Sequence, residues 1–136
     1  MKVLFVCRSN VGRSQIAATF FRRFSKNGVD SAGLAVKPSE EGELPPQIIR
    51  FMKRGGYDVF KYKRKRLTKD MIRRADRIII LLTPSERRVY VSKFIKNLSK
   101  VTFWNVKDPR WSPYSTQVRV HERIKKLVKE LVKEIG

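Results

Sequence analysis

The chain has 136 residues, of which 41% are hydrophobic and 32% are charged, a size and balance typical of one folded domain. It contains one cysteine and one histidine, which excludes an intramolecular disulfide and a cysteine-rich zinc site. Lys and Arg number 32 against 12 Asp and Glu, and the net charge of +20 favours anionic partners. No apolar run approaches the roughly 20 residues of a membrane-spanning helix. The first apolar stretch is also too short for a secretory signal, so we expect a cytoplasmic protein with no membrane partner.

Strands and helices are predicted to alternate along the chain. Short apolar runs predict strands over Val3–Val6, Val29–Ala32, Arg77–Leu82 and Val101–Trp104. Helical spacing predicts helices over Ser14–Phe24, from Pro45-Pro46 to Gly55-Gly56, and over Leu67–Ala75, Pro84–Leu98 and Gln117–Ile135. This alternation predicts an α/β fold: a single three-layer domain over residues 1–136, with helices on both faces of a four-stranded parallel sheet in the order 2-1-3-4.

The segment between the first strand and the first helix carries the strongest chemical signal. Cys7 ends a buried strand, and Arg13 stands where the helix begins. Backbone amides of such a turn and the helix N-terminus favour an anion, so the thiol should be largely ionised at neutral pH. Arg13 could hold two phosphoryl oxygens in a fork, and Ser14 could donate to the sulfur. The alternative is an inert buried cysteine.

The other loop residues are expected to bind phosphate or to support the loop. Asn10 tolerates a positive φ, and Gly12 is expected to allow a close approach of the backbone. The full set expected to bind phosphate or support the loop is Arg8, Ser9, Asn10, Val11, Gly12 and Ser14.

A second motif follows the last predicted strand. Expelling an alkoxide or phenoxide from phosphorus needs a proton donor, and Asp108 on a loop at the carboxyl edge of the sheet could be that donor. Pro109 would stiffen the loop. Taken alone, Asp108-Pro109 is more typical of an ordinary turn than of a proton donor.

Together these motifs resemble the low-molecular-weight protein tyrosine phosphatase family. The resemblance rests on Val3–Ser14, on Asp30–Gly33, on Arg66–Asp70 and Ala75–Ile80, and on Asp108-Pro109 followed by one long helix. It implies that Cys7 attacks phosphorus and forms a cysteinyl-phosphate, and that Arg13 binds the phosphate. It also implies that Asp108 protonates the leaving oxygen and then activates water, with neither metal nor other cofactor.

The chain departs from the family pattern around the expected site. Gly12 replaces a second cysteine, Arg8 replaces an apolar or small residue, and Arg110 stands where an aromatic residue usually follows Asp-Pro, with Trp111 next. A rim of Arg8, Arg110 and Trp111 would favour acidic phosphopeptides. The expected substrates are a phosphorylated protein, with phosphotyrosine favoured, or a small phosphate ester, and inorganic phosphate would be both product and inhibitor.

Two other functions are compatible with parts of the sequence. An arsenate reductase of the same fold would use the same loop but would need an external thiol partner, since Cys7 is the sole cysteine. A nucleic-acid-binding module would use the basic surface, of which Lys61–Arg66 is the densest run, but would leave Cys7 and Asp108 unexplained. His121 is interpreted as a solvated helix residue.

Overall fold

The structure is a computed structural model that describes residues 1–56 and 63–136. Lys61 and Tyr62, which begin the predicted basic run, lie outside the described residues. The strands are β1 (Lys2–Cys7), β2 (Gly28–Gly33), β3 (Gly42–Glu43), β4 (Lys63–Arg64), β5 (Arg77–Leu81) and β6 (Val101–Trp104). The helices are α1 (Arg13–Phe24), α2 (Pro46–Arg54), α3 (Lys69–Arg74), α4 (Pro84–Tyr90), α5 (Lys93–Lys96) and α6 (Tyr114–Ile135), and a short 3-10 turn covers Pro38–Glu40.

The main sheet is parallel and has the order β2-β1-β5-β6. Counting its four strands along the chain gives 2-1-3-4, so the expected topology is confirmed. Phe5 on β1 lies between Ser31 on β2 and Ile79 on β5, and Ile80 pairs with Phe103 on β6. All four strands therefore end at the same edge, where ligands bind in open parallel sheets.

Alternate residues of the central strands bury opposite faces of the sheet. Val3 and Phe5 pack with α1, α2 and α6, whereas Leu4 and Val6 pack with α3 and α5. Each face is covered because a parallel sheet must bury both of its sides. This arrangement confirms the three layers of helix, sheet and helix.

A two-stranded antiparallel ribbon of β3 and β4 was not predicted. It pairs Gly42 with Arg64 and Glu43 with Lys63. Strands of two residues carry too little apolar alternation to be recognised in the sequence. The ribbon matters because its second strand runs past the loop that follows β1.

Two helix predictions were too long. The segment predicted as Pro84–Leu98 is divided into α4 and α5, because Val91 is extended and Ser92 caps α5 by accepting from the Ile95 amide at 3.3 Å. The helix predicted from Leu67 begins at Lys69, since Thr68 caps it.

The solvated position predicted for His121 is wrong. Only 6% of this residue is exposed, and its ring meets the Phe51 ring edge to face at a centroid distance of 5.0 Å. Burial lowers the pKa of His121 to about 4, against a smaller opposing effect of Glu122. Within the described parts of the chain, no helix has the length and apolar character needed to cross a membrane.

Candidate active site

The predicted site residues come from the carboxyl ends of β1 and β6. Cys7 ends β1, Arg13 opens α1, and Asp108 follows β6. The site also receives Glu86 from α4, which follows β5. The parallel sheet thus brings together residues separated by about 100 positions in the chain. This is expected at the carboxyl ends of parallel strands, where the loops that follow the strands meet.

The sulfur of Cys7 lies at the end of a buried relay of hydrogen bonds. Cys7 Sγ is 3.0 Å from Ser14 Oγ, and Asn10 Nδ2 donates to the same Oγ at 2.8 Å. Because Ser14 Oγ accepts the Asn10 proton, its own hydroxyl proton is free to point at the sulfur. All three residues are almost fully buried, so this relay is shielded from water.

Asn10 is held from outside the loop. Its Oδ1 accepts from the Lys65 amide at 2.8 Å, and Gln15 Nε2 lies 3.2 Å from both its Oδ1 and its backbone oxygen. Asn10 has a φ of 55°, the left-handed conformation that Asn tolerates better than most residues. Gln15 also donates to the Lys63 carbonyl at 3.2 Å, which ties the loop to β4.

At Gly33, close neighbours leave no room for a side chain. A Cβ at Gly12 would meet no protein atom within 4 Å, and the close approach of the backbone expected at Gly12 stays a prediction. A Cβ at Gly33 would lie 2.5 Å from Val36 Cγ2, 2.9 Å from the Asn10 nitrogen and 3.0 Å from the Arg8 oxygen. The end of β2 therefore packs directly against the backbone of the loop.

The Arg13 guanidinium is buried and held by two acceptors. It donates to Glu86 through Nη1–Oε1 at 2.7 Å and Nη2–Oε2 at 2.9 Å, and Nη1 also donates to the Val106 carbonyl at 3.0 Å. These contacts use three of its five N–H donors. No acceptor among the described residues binds Nε.

The charges of Arg13 and Glu86 stabilise each other. Burial opposes the charge on Arg13, but hydrogen bonding to Glu86 and the nearby charges of Cys7, Glu86 and Asp108 raise its pKa above the ordinary value. Burial likewise opposes the charge on Glu86, but hydrogen bonds from Arg13 and Thr83 lower its pKa to about 2. The pair is therefore fully ionised at neutral pH.

Glu86 was not predicted as a site residue. The signal available was the capping box Thr83-Pro84-Ser85-Glu86, in which Thr83 Oγ1 accepts from the Glu86 amide and Glu86 Oε1 accepts from the Thr83 amide. A capping box predicts a helix start. It does not predict that the same carboxylate also binds Arg13.

Asp108 faces Arg13 and is bound by Arg110. Asp108 Oδ2 lies 4.0 Å from Arg13 Nη2. The Arg110 amide donates to Asp108 Oδ1 at 3.0 Å, and its guanidinium contacts Oδ2 through Nε at 3.3 Å and Nη2 at 3.2 Å. Asp108 is 28% exposed, so the carboxylate lies at the boundary between the buried site and solvent.

A cleft of about 570 Å³ opens beside the loop. Asp108, Arg110 and Trp111 are among its lining residues. Its other lining residues are mostly apolar and include Val11, Ile16, Pro45, Ile48, Phe51 and Met52.

The rim residues differ in their surroundings. Trp111 is 97% exposed and has a φ of 66°, an uncommon conformation for a bulky side chain. Arg8 is exposed, and its guanidinium stacks 5.2 Å from the Tyr90 ring centroid rather than lining the cleft.

The fold and this loop define a class of three-layer α/β proteins in which a cysteine ends the first strand and an arginine opens the first helix. The family model described as low molecular weight phosphotyrosine protein phosphatase matches residues 2–136, and the chain belongs to this enzyme family. A search of curated protein sequences finds no match.

Solved structures of the same fold cover nearly the whole chain. The low molecular weight protein tyrosine phosphatase from T. tengcongensis has 26% identity and a TM-score of 0.81, covering 98% of this chain and 99% of its own. Wzb from Vibrio vulnificus, in complex with benzylphosphonate, has 20% identity and a TM-score of 0.82, with coverages of 98% and 97%. The YwlE arginine phosphatase from Geobacillus stearothermophilus has 21% identity and a TM-score of 0.79, with coverages of 98% and 92%.

Proposed function

We propose that this protein hydrolyses phosphate monoesters through a cysteinyl-phosphate on Cys7. The observation that carries the proposal is the buried relay from Asn10 through Ser14 to the sulfur, beside an Arg13 guanidinium held ready by Glu86. The thiolate of Cys7 is the nucleophilic form, and the Ser14 hydroxyl is placed to donate to the sulfur.

In the first step, the Cys7 thiolate attacks phosphorus and the bond from phosphorus to the leaving oxygen breaks. Asp108 gives its proton to that oxygen, so the product leaves as a neutral alcohol or phenol. The free Nε edge of Arg13 binds two equatorial oxygens in a fork and stabilises the charge of the transition state. Amides of the Arg8–Gly12 segment and the N-terminus of α1 would bind the remaining phosphoryl charge.

In the second step, water attacks phosphorus and the sulfur–phosphorus bond breaks. Asp108, now a carboxylate, takes a proton from the water. The Ser14 hydroxyl stabilises the departing thiolate. Inorganic phosphate is released, and because it fits the same loop it should also inhibit competitively.

The cleft supports an aryl phosphate, in particular protein phosphotyrosine, as the substrate class. Ile48, Phe51 and Met52 line this cleft together with Val11 of the loop. Apolar walls stabilise an aromatic ring, whereas a charged leaving group such as a phosphorylated guanidinium would lose hydration there. Of the acidic residues lining the cleft, Glu40 is already paired with Arg64 at 3.4 Å.

Hydrolysis of p-nitrophenyl phosphate by the wild type, Cys7→Ser and Asp108→Asn tests the mechanism. We expect Cys7→Ser to lose activity by several orders of magnitude and Asp108→Asn to lose roughly 10²–10⁴-fold. Rapid quenching of the wild type with labelled substrate should trap one phosphate per chain on Cys7. Full activity in the serine variant would remove Cys7 from the reaction.

The substrate class is tested separately with phosphotyrosine and phosphoarginine in the same peptide sequence. The proposal expects the phosphotyrosine peptide to have the higher kcat/KM. A preference for phosphoarginine would overturn the substrate assignment and leave the cysteine mechanism intact.

A further inference from the structure

Arg110 lies across the space between the loop and Asp108. Its Nη2 is 3.3 Å from Ser9 Oγ and 3.2 Å from Asp108 Oδ2, and its Nε is 3.3 Å from the same carboxylate oxygen. The side chain is 35% exposed, so solutes can reach the guanidinium. One cation thus connects the edge of the loop with the carboxylate that faces it.

This contact occupies the oxygen of Asp108 that faces the site. Oδ2 is the atom 4.0 Å from Arg13, whereas Oδ1 accepts from the Arg110 backbone amide. A leaving oxygen above the loop must therefore approach Oδ2, where the guanidinium already donates. Arginine has only donors, so it binds this oxygen as an acceptor and not as the proton donor that leaving-group protonation needs.

Release of Arg110 from Asp108 is favoured by a replacement anion. Among the described residues that line the cleft, the acids are Glu40 and Asp108, and Glu40 is paired with Arg64. Glu86, the next acid of the site, is paired with Arg13. A carboxylate that replaces Asp108 as the partner of Arg110 would therefore come from the substrate.

We propose that Arg110 is a specificity-determining residue that exchanges Asp108 for a carboxylate of the substrate. The inference rests on the proposed phosphatase function. It specifies the substrate as a phosphoprotein segment with Asp or Glu flanking the phosphorylated residue. Binding of that carboxylate frees Asp108 Oδ2 for the leaving oxygen, so recognition of the flanking acid and protonation of the leaving group are coupled.

Two phosphotyrosine peptides that differ only in flanking Glu or Gln test the proposal. Their dissociation constants are measured on the Cys7→Ser protein, and kcat/KM is measured on the protein with Cys7 intact. We expect the Glu peptide to be favoured about three- to tenfold in both, a range suited to an exposed pair with fork geometry. The Arg110→Ala change should bring both ratios close to one.

Lys107→Ala is the matched control. Lys107 is an exposed cation on the same loop, and its removal lowers the net charge by the same amount. The Lys107→Ala variant should keep the preference for the Glu peptide. Its loss of charge weakens long-range attraction as much as Arg110→Ala does, but Arg110 is still present to exchange Asp108 for the carboxylate of the peptide.

Three results would overturn the proposal: equal treatment of the two peptides by the wild type, a preference that survives Arg110→Ala, or an equal loss in Lys107→Ala. Failure of the proposed function is a different result, since the protein would then turn over neither peptide nor p-nitrophenyl phosphate. The binding ratio on Cys7→Ser would still report whether Arg110 recognises the flanking carboxylate.

Discussion

Arg13 and Glu86 form a two-pronged ion pair, with Nη1–Oε1 at 2.7 Å and Nη2–Oε2 at 2.9 Å. Arg13 is 3% exposed and Glu86 is 18% exposed, so the pair is largely shielded from solvent. The carboxylate fixes which edge of the guanidinium faces the loop. Glu86 is therefore a positioning residue that acts through Arg13.

Glu86→Gln should weaken catalysis through its effect on Arg13 and not through a contact with the substrate. The amide cannot hold both Nη groups as acceptors, so the guanidinium should reorient, and we expect kcat/KM for p-nitrophenyl phosphate to fall roughly 10- to 100-fold. The affinity for phosphate should fall together with kcat/KM. A substitution that only disturbed a remote helix would not lower phosphate affinity. Glu134→Gln is the control, because Glu134 pairs with Arg77 at an exposed site. Wild-type affinity for phosphate in Glu86→Gln would contradict the positioning role.

Ser14→Ala should slow the hydrolysis of the phosphoenzyme more than its formation. The Ser14 hydroxyl lies 3.0 Å from Cys7 Sγ and stabilises the thiolate that departs in the second step. We expect kcat to fall about 10- to 100-fold, corresponding to the loss of one charge-assisted hydrogen bond. Rapid quenching should show a larger fraction of phosphoenzyme at steady state. Ser99→Ala, at an exposed serine, should leave this fraction unchanged.

Alanine at Gly33 should destabilise the protein more than alanine at Gly12. At Gly33 the new Cβ would press on Val36 and on the backbone of Asn10, so we expect a loss of about 1–3 kcal/mol in the free energy of unfolding and weaker phosphate binding. At Gly12 the new Cβ meets nothing within 4 Å, and the change should stay below about 1 kcal/mol. Urea unfolding and phosphate titration measure both. Equal effects at the two glycines would contradict the packing of β2 against the loop.

His121 should make the protein less stable in mild acid. Its pKa is about 4 in the folded state against an ordinary 6.5, so the unfolded chain takes up the proton first as pH falls. The stabilisation is fully present above about pH 6.5 and is lost progressively towards about pH 4, with about 2 kcal/mol lost by pH 5.

Urea unfolding at pH 7.5 and pH 5 measures this loss. His121→Gln cannot titrate, so its free energy of unfolding should change less between the two pH values than that of the wild type. The comparison cancels the general repulsion of a chain with a net charge of +20. Parallel pH dependence in the two proteins would show that His121 is not the group responsible.

Some tertiary contacts had a local signal in the sequence. His121 lies three residues before Ile124 and seven before Val128, on the buried face of α6. The helical spacing alone would have placed it in the core, but its polar type led to the opposite interpretation. The break between α4 and α5 had a similar signal, because Ser92 is a preferred helix cap.

The order of elements, the parallel sheet and the Cys7–Ser14 loop followed from the sequence, because apolar periodicity and a contiguous loop are local properties. The contacts of that loop were decided by the tertiary structure. Glu86 lies 73 residues from Arg13, Lys65 lies 55 from Asn10, and Arg110 lies 101 from Ser9. Only the packing of the strands side by side brings these partners within hydrogen-bond distance, and no local pattern distinguishes them from the many other charged residues of this chain.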